Sequence, residues 1–346
     1  TKGGGKGDPK GKGDGKGLKG GPQGGPKGGK GDSKGGKGKS KGKGGGGGGD
    51  GGIEPPSDGG NPISNSGSSN SSNCTVNNIT APNISFSRSL DPLTQPISSN
   101  QYPPYDKIID YEGIIFAGMD DVSNDFVYKV AQTYRELLGG DDGMKSSWTA
   151  DLINKMDDKS VLQRIIYGEY DDYSGDRAFD ERNYPGFDNT HDNNPNVDVI
   201  GESKPIDKSG QVNEVIEHIL HTITVLGFNY IFPEKYSYTN ACSDVYLAMQ
   251  EAISEGYYDV SSYDDIKNDS EIYGRIIVQE FAYWMIITGW DIKKDLLPNS
   301  APEWKVNSTS EMQSSLPLSH ALYEETVKDI LKNPTSEFLL SLFPRS

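Results

Sequence analysis

Glu214, Glu217, His218 and His221 lie in the run Val212-Asn-Glu-Val-Ile-Glu-His-Ile-Leu-His-Thr-Ile-Thr-Val-Leu226. At about 100° per residue, a helix brings these four side chains within roughly 100° of one another. Val215, Ile216, Ile219, Leu220, Ile223 and Leu226 fill the opposite face. Glu217 and His221 stand one turn apart, a spacing at which both can reach one cation. The stripe also fits a solvated face carrying i,i+4 pairs, and the residues alone leave both readings open. Glu280 is the second candidate. It sits in residues 271–290, where Ile272, Ile276, Ile277, Val278, Phe281, Trp284, Met285, Ile286 and Ile287 make a helix apolar nearly all round. Such a helix is expected to be buried, and an unpaired carboxylate inside it costs several kcal/mol. Glu280 must be protonated, paired with Arg275 or another basic residue, or bound to a cation shared with Glu217 and His221.

The elements that must position these residues are legible from periodicity and caps. Ile108-Ile109 and 113–118 form a first strand, and Ser123 caps a helix that runs to Leu138 and stops at Gly139-Gly140. A second helix covers 148–156 and a strand covers 161–167. Residues 168–210, crowded with Asp, Asn, Tyr and Gly, are expected to form a long loop. Glu169, Asp171, Asp172, Asp176, Asp180, Asp188 and Asp192 lie in it, without the spacing of an EF-hand. Gly227 is expected to stop the Glu/His helix. Further helices follow at 244–254, 271–290, 320–331 and 336–343. His191 and His320 are expected to be structural or exposed. No nucleophile elbow, phosphate loop or dinucleotide fingerprint occurs.

This order resembles the zincin-like metallopeptidases. In that family a strand, a long helix, further strands and an acidic loop precede an active-site helix, and a later helix supplies a glutamate ligand. The corresponding segments here are 114–138, 165–167, 215–223 and 279–284, which span most of 106–290. The resemblance implies an α+β, helix-rich zincin-like domain with Glu217, His221 and Glu280 as metal ligands. The family motif His-Glu-x-x-His is altered: with His221 as its second histidine, the chain reads Glu217-His218-Ile-Leu-His221. Glu217 takes the place of the first ligand, and His218 that of the general base. Carboxylate and imidazole donors still suit Zn²⁺, Mn²⁺ or Ca²⁺ to differing degrees. A second carboxylate ligand makes the metal a weaker Lewis acid, and the carboxylate base is gone.

Composition divides the 346 residues into three parts. Residues 1–52 are nearly all Gly and Lys, cannot offset chain entropy, and are expected to be a disordered tail. Residues 53–105 are rich in Ser, Asn and Pro and form an arm or linker. Residues 106–346 are long enough for one domain with a sizeable core. Residues 1–50 carry thirteen Lys against four Asp, a net of +9; the rest carries −25 within a whole-chain charge of −16. A cationic tail on an acidic body favours a polyanion, a mineral surface or a neighbouring copy as partner. Nucleic acid is disfavoured, because the tail has neither arginine nor aromatic residues. The tract also resembles tails of secreted matrix proteins of microalgae.

Asn70, Asn73, Asn78, Asn83, Asn268 and Asn307 all begin Asn-x-Ser/Thr sequons, four of them clustered in the arm. Cys74 and Cys242 make an even count that can staple the arm to the domain. The longest apolar run, 276–290, is too short and too interrupted to span a bilayer. No signal peptide is visible, as expected of a mature form or fragment. The expectation is a secreted, N-glycosylated structural subunit of a matrix, surface or filament, self-associating through its arm. The competing expectation is a metal-dependent hydrolase with Glu217, His221 and Glu280 as ligands and His218 or Glu214 handling protons.

Overall fold

Short β-branched runs separated by capped amphipathic helices build an α+β domain in a computed structural model. The structure describes Cys74 and residues 88–168, 199–203, 210–297 and 302–344, without the side chain of Glu271. The Lys/Gly tail, most of the arm with Asn70, Asn73, Asn78 and Asn83, and most of the acidic stretch with His191 lie outside the described residues. The sheet has five strands in the order β1 (Ile97–Tyr102), β2 (Tyr105–Tyr111), β3 (Ile114–Gly118), β4 (Val161–Tyr167) and β5 (Val199–Glu202). The pairs β1/β2 and β2/β3 are antiparallel, whereas β3/β4 and β4/β5 are parallel. A parallel pair needs a crossover. Here α1 (Asn124–Leu138) and α2 (Ser147–Asp158) supply it between β3 and β4.

Ser123 caps α1 as expected, its hydroxyl accepting from the Phe126 amide at 3.1 Å. Phe126, Val127, Val130, Tyr134 and Leu137 then pack with Ile109, Phe116, Val161 and Ile165 of the sheet in one core. A smaller cluster of Tyr102, Tyr105, Ile108, Ile115, Ala117 and Leu162 is separate from it. After β5 come α3 (Gln211–Thr222), α4 (Asn229–Ile231), α5 (Pro233–Tyr236), α6 (Asp244–Ser254) and α7 (Ser270–Gly289). The chain closes with α8 (Lys293–Leu296), α9 (Thr309–Ser315), α10 (Pro317–Leu322), α11 (Lys328–Ile330) and α12 (Ser336–Leu342).

Several expectations are corrected. The sheet begins at Ile97, within residues assigned to the arm, because β1 is a largely exposed edge strand with no apolar alternation to betray it. A second edge strand, β5, lies inside the stretch expected to be loop. Gly227 does not stop the helix. The chain runs through it in a π-helical segment, Ile223–Phe228, where the missing Cβ makes room for Leu152 of α2, whose Cδ1 would lie 2.3 Å away. Finally, α7 is buried only from about Ile277 onward; Ile272 is 43% exposed and Ile276 half-buried.

The first turn of α3 is fastened to the edge of β5. Gln211 Nε2 donates to the Gly201 carbonyl (2.8 Å), and its Oε1 accepts from the Ser203 amide (2.6 Å). Glu214 Oε1 accepts from the Gly201 amide at 2.9 Å. The two side chains thus satisfy edge-strand groups that would otherwise invite another strand. Deeper in, Thr222 donates to the buried Gln163 of β4. Gly201 is required here, since a Cβ would sit 2.3 Å from the Gly168 carbonyl oxygen, and backbone cannot yield cheaply. Gly201→Ala is therefore expected to destabilise the domain by about 1–3 kcal/mol. Denaturant unfolding measures this, and hydrogen exchange of the Gly201 region should speed up in parallel.

Candidate metal centre

The polar stripe forms on α3 as its spacing requires. Glu214, Glu217 and His218 are half-buried and His221 is 2% exposed, while Val215, Ile216, Ile219 and Leu220 are buried on the other side. Helix α7 packs against α3 and brings Glu280 to it. His221 Nε2 lies 3.6 Å from Glu280 Oε2, and the Glu280 side chain is 14% exposed. One ligand atom each from Glu217, His221 and Glu280 lies within 4.8 Å of the others. Ligands bound at 2.0–2.2 Å around a tetrahedral ion are about 3.4 Å apart. The His221–Glu280 pair is thus already spaced as two ligands of one ion, and the remaining separations need to close by no more than about 1.4 Å. The donor set of two carboxylates and an imidazole fits a divalent cation.

The other members of the stripe do different work. Glu214 Oε2 lies 3.6 Å from His218 Nε2, while its Oε1 accepts from the Gly201 amide and so ties α3 to the sheet edge. The His218 and His221 rings are 5.5 Å apart. Arg275, the ion-pair partner weighed for Glu280, donates from Nη1 to Gln279 Oε1 at 3.2 Å. His320 is half-buried, 4.0 Å from Glu324.

Three residues at the site carried no clear sequence signal. Asn213 Nδ2 donates to Glu217 Oε2 at 2.8 Å, and the Tyr283 hydroxyl donates to Asn213 Oδ1. The Tyr283 ring meets His221 edge-on at 6.1 Å. Burial, and then the charges of Glu217, Glu280 and Glu303, hold the Tyr283 hydroxyl well above its ordinary range, so it remains a donor. Glu303 accepts from Trp284 Nε1 (2.8 Å) and from the Tyr263 hydroxyl (3.2 Å). Trp284 stands one turn after Glu280 on α7. Tyr263 in turn is raised by burial and by Glu280, Glu303 and Glu217, which places all three carboxylates in one electrostatic neighbourhood. A retrospective signal existed for Asn213 and Tyr283 only: i,i+4 from Glu217 and i,i+3 from Glu280. The neighbouring Tyr258 is a packing residue, buried against Phe281 and Trp304.

Cys74 and Cys242 form the expected disulfide, closing 168 residues of chain onto the residue before the Ser243 cap of α6. Asn268 is exposed. Asn307 is half-buried, its Nδ2 donating to the Lys305 carbonyl and its Oδ1 accepting from Lys293. Among the described residues no helix is long and apolar enough to cross a membrane. No protein-family model matches the chain, and no curated protein or solved structure matches it either.

Burial raises the Glu303 carboxyl above its ordinary value despite its two donors. A carboxyl raised on folding binds its proton more tightly in the folded state. Its charged form therefore costs stability at neutral pH, and the cost disappears as pH falls below the unfolded value near 4.3. Glu303→Gln is accordingly expected to raise the melting temperature at pH 7 and to leave it unchanged near pH 4. Thermal unfolding across that range reads the difference.

Proposed function

We propose that this chain is an extracellular glycoprotein whose folded domain is a degenerate, zincin-like unit. That domain binds a divalent cation without hydrolysing peptides, and the protein serves as a structural matrix, surface or filament subunit. The observation that carries the reading is the approach of Glu217, His221 and Glu280 to within 4.8 Å of one another, while the base position holds His218, whose Nε2 lies 3.6 Å from Glu214 Oε2. A hydrolytic metal needs an acidic bound water and a base aimed at it. Two anionic ligands oppose the first need, and the position of the family's carboxylate base holds an imidazole instead. What a bound cation supplies instead is neutralisation of two neighbouring carboxylates and a cross-link between α3 and α7. Sequon density, the disulfide and the unlike charges of tail and body support an extracellular assembly role. A second copy or an extracellular polyanion is the partner that fits that charge division.

Titration of the purified protein with Zn²⁺, Mn²⁺ and Ca²⁺ is expected to show one site, weakened at least tenfold by Glu217→Gln, His221→Ala or Glu280→Gln. Peptide substrates are expected to stay intact in every metal. Self-association, followed by sedimentation, is expected to weaken between 0.1 and 1 M salt as the screening length shrinks from about 10 to about 3 Å. A monomer that cleaves peptides in a metal-dependent manner would instead establish the hydrolase, with Glu217, His221 and Glu280 as its ligands.

A further inference from the structure

Asn213 and Tyr283 form a short relay that ends on a candidate metal ligand. Asn213 sits one turn before Glu217 on α3, and its Nδ2 donates to Glu217 Oε2 at 2.8 Å. Its Oδ1 accepts from the hydroxyl of Tyr283 on α7. Because the hydroxyl can donate only to the oxygen end of the amide, the NH₂ end is turned toward Glu217. Tyr283 is 0% exposed, so the anchor of the relay is fixed by packing. The same residue stands three positions after Glu280 and sets its ring edge-on to His221, 6.1 Å between centroids. One tyrosine is thus coupled to all three members of the candidate site.

The Asn213 amide N–H engages one lone pair of Glu217 Oε2 and so fixes the rotation of the carboxylate. We propose that the Tyr283–Asn213 pair is a positioning device that holds Glu217 as a one-oxygen ligand, and thereby makes the site select small divalent cations such as Zn²⁺ over Ca²⁺. Zn²⁺ is satisfied by four nitrogen or oxygen donors at 2.0–2.2 Å. Ca²⁺ takes six to eight oxygens at 2.3–2.6 Å and commonly draws carboxylates into two-oxygen binding. A Glu217 carboxylate fixed through Oε2, beside an imidazole ligand, suits the four short bonds of Zn²⁺ better than the larger oxygen shell of Ca²⁺. Partners that orient ligands in this way are commonly worth 10–100-fold in metal affinity.

The inference rests on the metal-site reading, and the experiment separates the two. Zn²⁺ and Ca²⁺ dissociation constants are measured by competition titration for the full-length wild type, Tyr283→Phe and Asn213→Ala, with metal-free melting temperatures in parallel. Tyr283→Phe keeps the buried ring and removes only the hydroxyl, so it reports even if Asn213→Ala fails to fold. The expected result is Zn²⁺ binding weakened about 10–100-fold with Ca²⁺ binding unchanged or tighter, a fall of at least tenfold in the Zn²⁺/Ca²⁺ preference. Parallel losses for both ions would mean the relay merely ties α3 to α7, and unchanged constants would mean that it does nothing for the metal; either overturns the inference while leaving the site intact. A wild type that binds neither ion overturns the site and the inference together.

Discussion

Two carboxylates and an imidazole, delivered by separate helices, meet within 4.8 Å in the half-buried seam between α3 and α7. If both carboxylates are ionised at that separation, their repulsion is about 3–4 kcal/mol at an effective dielectric constant of about 20. That strain is comparable to a large part of a domain's net stability, so the surroundings must either hold the groups together or supply an opposing charge. Much of the neighbouring architecture serves the holding. Gln211 and Glu214 fix the start of α3 to β5, Thr222 fixes its end to Gln163, and Tyr283 bonds across the seam to Asn213.

The way the fold treats its other charges sharpens the contrast. Lys235, 1% exposed, lies between Asp244 at 2.8 Å and Glu325 at 2.9 Å, a cluster with its counter-ions built in. Lys293, also buried, donates to the carbonyls of Trp304 and Val306 and the amide oxygen of Asn307, and burial lowers it to about 8. Both sites satisfy a cation with protein acceptors. In the α3–α7 seam one ligand atom each from Glu217, His221 and Glu280 lies within 4.8 Å of the others, so carboxylates predominate there. That donor set could hold a divalent cation.

Where local physics dominates, the sequence already spells out the structure. Ser123 and Ser243 cap helices because their hydroxyls bond amides three residues on, and Val161–Tyr167 forms a strand in which the β-branched Val161, Ile165 and Ile166 are buried. The stripe on α3 and the lone carboxylate of α7 were legible for the same reason: helical periodicity fixes which side chains share a face. What long-range contacts decide was not legible. β1 is polar and exposed, β5 is four residues inside an acidic stretch, and both become strands only by pairing with a neighbour already in the sheet. Gly227 carries a stop signal that tertiary packing against Leu152 overrides. Asn213, Tyr283 and Glu303 acquire meaning only once α7 lies against α3.

The proposed site has Glu217, His221 and Glu280 holding one cation between two helices. Anomalous diffraction at the zinc edge, from crystals grown with Zn²⁺, tests it most directly. One strong peak is expected, bonded to a carboxylate oxygen of Glu217, to His221 Nε2 and to a carboxylate oxygen of Glu280, each at about 2.0–2.2 Å. A map with no peak between α3 and α7 while Zn²⁺ occupies another part of the molecule would contradict it.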